Sequence, residues 1–153
     1  MNKLLVLLIL PVSLLSSPCP AQTYYSYAFG KQYAFKITTE MLAKSPSWPE
    51  NSDNPPLPAR KAIRLATALK DRLVKDSEAF KWHLVSAQLE RNWGLKTDTG
   101  KWWWLINFEA HVRVGGQSGR PINLRVVVLM DGTVIEPTIC DEEEEVDRDQ
   151  NNR

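Results

Sequence analysis

The side chains able to do chemistry are thinly spread: His83, Glu90, Glu109, His111, Ser118, Arg125 and Cys140. A metal centre needs several N, S or O ligands converging on one point. Two histidines on different predicted strands, with Glu109 two residues before His111, make a fragment of such a set, so neither a metal nor a cofactor is expected. Nucleophilic catalysis needs a nucleophile beside a positioned base. Ser118 lies in Gly116-Gln117-Ser118-Gly119, which resembles a Gly-flanked nucleophile turn but joins strand to strand where such an elbow joins strand to helix. It reads as a hairpin loop. A glycosidase needs two facing carboxylates, and the strand carboxylates available are Glu90 and Glu109. The glycines precede no predicted helix, which excludes a phosphate loop. No active site emerges, and the expectation is a protein that is not an enzyme.

The elements that would position these residues follow from hydrophobic period. In Gln32 to Thr39, Tyr33, Phe35 and Ile37 alternate with smaller or polar residues, as in a half-buried strand. Five prolines between Ser45 and Pro58 forbid a regular element there, leaving an extended loop with Trp48 tucked under it. From Pro58 the period changes to that of a helix of about 18 residues, with Ala59, Ala62, Ala66, Leu69 and Leu73 on one stripe. Arg60, Lys61, Arg64, Lys70, Arg72 and Lys75 form its opposite, solvated face.

Three more alternating segments follow. Lys81 to Arg91 puts Val85, Ala87 and Leu89 on one face and Trp82 and Leu84 on the other. Trp102 to Val114 has no polar residue at its even positions, and Pro121 to Met130 repeats that pattern. Their connection through Gly115-Gly116-Gln117-Ser118-Gly119 predicts an antiparallel pair. If Val114 faces Arg120, Phe108 faces Val126, Ala110 faces Leu124 and Glu109 faces Arg125. A register displaced by two residues keeps the same faces buried and stays open. After the Asp131-Gly132 turn signal, Thr133 to Ile139 reads as a short final strand. The fold class expected is α+β, one helix packed on an antiparallel sheet of three to five strands in the order β-α-β-β-β.

Composition agrees with one domain. The chain has 153 residues, 43% hydrophobic and 24% charged, with a formal net charge of +1, which excludes wholesale disorder and gives no footprint for nucleic acid. Lys3 followed by the apolar run Leu4 to Leu15 has the layout of a secretory signal peptide over residues 1–21, cut after Ala21. That run is too short for a membrane span. The protein is therefore expected to be secreted or periplasmic, with no stable span after cleavage. Cleavage would leave Cys140 without an internal disulfide partner, either as a half-buried thiol closing the last strand or as a reactive or intermolecular one. Residues 22–140 hold 16 Lys/Arg against 11 Asp/Glu, whereas 141–153 hold 7 acids against 2 arginines. Such a tail cannot recover its ordering entropy and is expected to be disordered.

The order of elements is similar to the cystatin-like arrangement, and Pro56 to Ile139 resembles the small exported PepSY-type domains of bacteria. The features that carry the likeness are Pro58-Ala59-Arg60-Lys61-Ala62-Ile63, the Trp82-led strand, Trp102-Trp103-Trp104-Leu105-Ile106 and Val128-Leu129-Met130-Asp131-Gly132-Thr133-Val134. The resemblance implies binding or inhibition of exported proteins, peptidases among them, without catalysis. The cystatin inhibitory motif Gln-x-Val-x-Gly is absent from the sequence, so no inhibitory residue carries over.

One face of the sheet is expected to stay open. Trp103, Leu105, Val127 and Leu129 would cluster opposite the helix beside Asn107, Glu109, His111, Arg113 and Arg125, and grouped apolar residues outside a core mark a contact surface. Trp103, Leu105, Glu109, His111, Arg125, Val127 and Leu129 are the candidate partner-binding residues, for an exported protein or peptide of unknown identity. A second possibility is that the Pro-rich loop or the Tyr24-Tyr25-Ser26-Tyr27 segment folds over this face. The alternative function is a small cell-wall glycan binder or hydrolase built on Trp103, Glu109, His111 and Arg125.

Overall fold

The computed structural model describes residues 20–49, 51–77, 79–91, 100–112 and 122–141. Residues 1–19 of the expected signal peptide (1–21), the Gly115–Gly119 connection and the acidic tail beyond Asp141 lie outside them. In chain order the elements are β1 (Pro20–Ala28), β2 (Lys31–Thr38), α1 (Thr39–Lys44), α2 (Ala59–Leu73), β3 (Phe80–Arg91), β4 (Trp102–Val112), β5 (Asn123–Leu129) and β6 (Thr138–Asp141). The strands form one six-stranded sheet in the order β3-β4-β5-β1-β2-β6, and every neighbouring pair is antiparallel. This corrects the expected α+β class of one helix on three to five strands. The molecule is β-rich, with two short helices. Among the described residues no helix is long and apolar enough to cross a membrane.

The central strands keep the alternation of their sequence. On β4, Trp104, Ile106, Phe108 and Ala110 are buried, as are Leu124, Val126 and Val128 of β5. Helix α2 lies on this even-numbered face through Ala62, Ala66 and Leu69. Its first turn hangs from Pro58, whose carbonyl accepts from the N–H groups of Lys61 and Ala62, and the ring itself costs nothing there because it has no N–H to satisfy. The indole N–H of Trp104 donates to the Leu57 carbonyl at 2.9 Å, tying the Pro-rich loop to the same face. Trp48 donates to the carbonyl of Ser52 and meets Trp102 edge-on at 5.3 Å. Lys70, expected on the solvated face of α2, is buried with its ammonium 2.5 Å from Asp71.

Three details depart from the simple pattern. First, β4 and β5 pair with Phe108 opposite Leu124, Asn107 opposite Arg125 and Glu109 opposite Asn123. This is the register displaced by two residues, and Glu109 and Arg125 are diagonal instead of opposed. The first register would have set the buried Trp103 against the exposed Asp131; the observed one sets it against Leu129. Second, β3 carries a bulge between Leu84 and Ser86. The extra residue, Val85, reverses the parity, so Trp82 and Leu84 before it share a face with Ala87 and Leu89 after it. The expected split of these residues between two faces is overturned, because a bulge sets two residues against one. Third, the chain after Asp131-Gly132 does not add a strand beside β5. Val134 makes an isolated bridge to Val128, and the chain then crosses to pair as β6 with β2, Ile139 opposite Tyr33.

The strand expected from Gln32 to Thr39 is present as β2, and the largest departure is its partner β1, with which it forms a hairpin. Tyr24, Ser26 and Ala28 of β1 are buried, and so are Tyr33, Phe35 and Ile37 of β2. Tyr24 faces Phe35 and Ser26 faces Tyr33 across the pair, which gives the hairpin one packed face. Its two-residue turn, Phe29-Gly30, has φ values of 52° and 71°, the left-handed pair that matches strand twist. Glycine adopts it freely; Phe29 does so at a cost, with its ring edge-on to Phe80 at 5.1 Å and Trp82 at 6.1 Å.

The packed face of this hairpin covers the odd-numbered face of β4 and β5. Trp103, Leu105, Val127 and Leu129 are 0%, 6%, 0% and 1% exposed, and the indole N–H of Trp103 donates to the Tyr24 hydroxyl at 3.1 Å. Burial of this size contributes about 2 kcal/mol for each such side chain. The seam between hairpin and sheet is narrow. Tyr27 pairs with Asn123, and the Ser26 hydroxyl accepts from the Arg125 backbone N–H at 2.7 Å.

Candidate functional site

Where the hairpin stops, the odd-numbered face stays polar. Three strands lay its floor in rows, since directly opposed residues of an antiparallel pair share a face. His83 of β3 faces Glu109 of β4, which faces Asn123 of β5; in the next row Ser86 faces Asn107, which faces Arg125. Further along, Gln88 faces Leu105 and Glu90 faces Trp103. Above this floor opens a cleft of about 540 Å³, walled on the hairpin side by Gln22 and Tyr24 and on the β3 side by Val85, Gln88 and Glu90. The bulge at Val85 is what turns the Ser86, Gln88 and Glu90 side of β3 toward it.

Polar satisfaction in the floor is incomplete. The Asn107 amide N–H donates to the Ser86 hydroxyl at 2.7 Å, but the Oδ1 atoms of Asn107 and Asn123 are both buried without a hydrogen-bond partner among the described residues. An unpaired buried acceptor costs about 1–3 kcal/mol. Burial pushes the Tyr24 phenol above its ordinary pKa; the bond from Trp103 opposes this, nearby Glu90 adds to it and Arg125 opposes it.

The expected site residues divide sharply. Trp103, Leu105, Val127 and Leu129 do not form an open surface, because the N-terminal hairpin occupies the face they share. Glu109 and Arg125 stand in the cleft. His111 lies beyond its end, exposed, with Nε2 3.6 Å from Glu109 Oε2 and its ring 5.1 Å from that of His83. Among the described residues no three His, Cys, Asp or Glu side chains come together as metal ligands. Cys140 is exposed on β6, which corrects the half-buried thiol. Residues that sequence reasoning did not single out are Asn123, Ser86, Gln88 and Tyr24. A signal for one of them existed, since Asn123, like Asn107, is a poor strand former inside an otherwise apolar strand.

Glu90 and Glu109 are too far apart to work as a glycosidase pair. Glu90 faces Trp103 and Glu109 lies six residues further along β4, a separation of about 20 Å at strand rise. Glycosidase carboxylates work at about 5–9.5 Å. Comparison of the chain with protein-family models, curated proteins and solved structures returned no match, so the functional reading rests on the cleft itself.

Proposed function

We propose that this protein is an exported, non-catalytic binding module that holds a peptide segment of a partner protein in the cleft between β3, β4 and the β1–β2 hairpin. The observation that carries this reading is the pair of unpartnered amide oxygens, Asn107 Oδ1 and Asn123 Oδ1, in the cleft floor. Each accepts an N–H, and a peptide backbone offers one per residue. Gln22 and Gln88 on the walls add amide N–H donors for its carbonyls and amide oxygens for its N–H groups. The glycan reading loses its expected stacking residue, since Trp103 is fully buried and bonded to the Tyr24 hydroxyl.

The test is a titration of the isotope-labelled chain with a pool of short peptides, following the backbone amide resonances of the cleft strands β3, β4 and β5. Specific shifts that disappear in the Asn107→Leu and Asn123→Leu variants are the expected result. Unmoved amide signals at millimolar peptide overturn the reading.

A further inference from the structure

The cleft carries a polarity that the peptide reading alone leaves unassigned. Four floor residues form a rectangle on adjacent strands: Glu109 faces Asn123, and Asn107 faces Arg125. Glu109 and Arg125 occupy one diagonal, and the two amides occupy the other. Directly opposed side chains on such a sheet start about 5 Å apart and diagonal ones about 7–8 Å, so a single small group can touch three corners at once.

Three of those corners are acceptors: the Glu109 carboxylate and the two unpartnered Oδ1 atoms. A primary ammonium group has three donors and no acceptor, which is the complement of this set. We infer that the cleft captures a ligand through a primary ammonium held by Glu109, Asn107 and Asn123. The inference rests on the peptide-binding reading and adds the orientation of the ligand to it. Glu109 supplies the compensating charge; its Oε2 contact with His111 is 3.6 Å, too long to compete as a hydrogen bond. The Oδ1 atoms reach the group by rotation about χ2, a broad and soft torsion in Asn, and the Ser86 hydroxyl rotates with its Asn107 partner. Arg125 forms no ion pair among the described residues. At the fourth corner its guanidinium receives the ligand's nearest carbonyl or carboxylate oxygen. Two sources carry this chemistry, the N-terminus of a peptide and a free amino acid.

The experiment uses the full chain and matched probes: trialanine, N-acetyl-trialanine, free alanine and ethylamine, with binding followed by calorimetry and by the Asn107 and Asn123 amide resonances. Binding of trialanine that weakens about tenfold or more on N-acetylation is expected, the scale of losing one charged hydrogen bond. Glu109→Gln should weaken trialanine by a similar factor and leave the acetylated probe unchanged, while its melting curve reports that the variant is folded. Alanine binding as tightly as trialanine assigns the site to amino acids; ethylamine alone should bind weakly, since it offers Arg125 nothing. Equal binding of free and acetylated peptide overturns the ammonium inference while the peptide reading stands. Failure of all four probes, together with the peptide pool, removes both.

Discussion

The indole N–H of Trp103 is bonded to the hydroxyl of Tyr24 at 3.1 Å, across 79 residues of chain and between two faces packed on each other. Both side chains are buried, so each polar atom depends on the other. Tyr24→Phe leaves the Trp103 N–H without its acceptor and should lower unfolding free energy by about 1–3 kcal/mol. Trp103→Phe should cost more through lost volume. The double variant should lose less than the sum of the two single losses, a coupling that denaturant titration of the four proteins measures. Strict additivity would mean that the bond contributes nothing.

Val85 is the extra residue of the β3 bulge, so its removal restores a regular ladder in which Leu84 still faces Phe108 and Ser86 still faces Asn107. A chain lacking Val85 should fold cooperatively with altered cleft shape. A chain lacking Ile106 in the regular strand β4 should not, because every residue on one side of the deletion changes face. Thermal melts of the two deletions, read by near-ultraviolet circular dichroism, distinguish them; equal behaviour would remove the bulge from the account.

Burial raises the pKa of both Tyr24 and Tyr33. The folded chain therefore keeps these phenolic protons at pH values where the unfolded chain has released them. Stability carried by the neutral phenols is fully present below the unfolded value of about 10 and falls as pH rises through the higher folded values. Urea midpoints measured between pH 9 and 11 should decline, and Tyr33→Phe should flatten that decline. An unchanged slope in the variant would contradict it.

Cys140 is exposed on the edge strand β6, so it should react with an aromatic disulfide reagent as fast in buffer as in denaturant. Protection in buffer of tenfold or more, on the order expected of a buried thiol, would place it elsewhere.

What the sequence made legible was the side of the sheet that meets α2. The even positions of β4 and β5 are uniformly apolar, and no polar residue competes with that assignment. The odd positions are mixed along their length, Trp103 and Leu105 giving way to Asn107 and Glu109, and alternation cannot say whether such a face is covered. The answer lay in Tyr24, Ser26 and Ala28, whose small and hydroxyl-bearing members do not mark a core strand by period alone. The cleft was harder still. Its β3 wall depends on a bulge that no residue type announces, and its floor on a register that parity leaves free to slip by two. Glu109, Arg125 and Asn107 were placed on this face individually, and Asn123, which completes their rectangle, was not.

The partnership of Tyr24 with Trp103 also has a bearing on biosynthesis. The ribbon of β1 and β2 leaves the ribosome ahead of β4 and β5 and can form alone through contacts near in sequence. The plate it must cover is not made until some eighty residues later. Contacts this remote are slow to close, and until they do Trp103, Leu105, Val127 and Leu129 present bare oily surface to whatever is nearby. Nascent chains of this protein should accordingly lean on holding chaperones late in translation, when the fifth strand has emerged and the waiting ribbon has not yet docked.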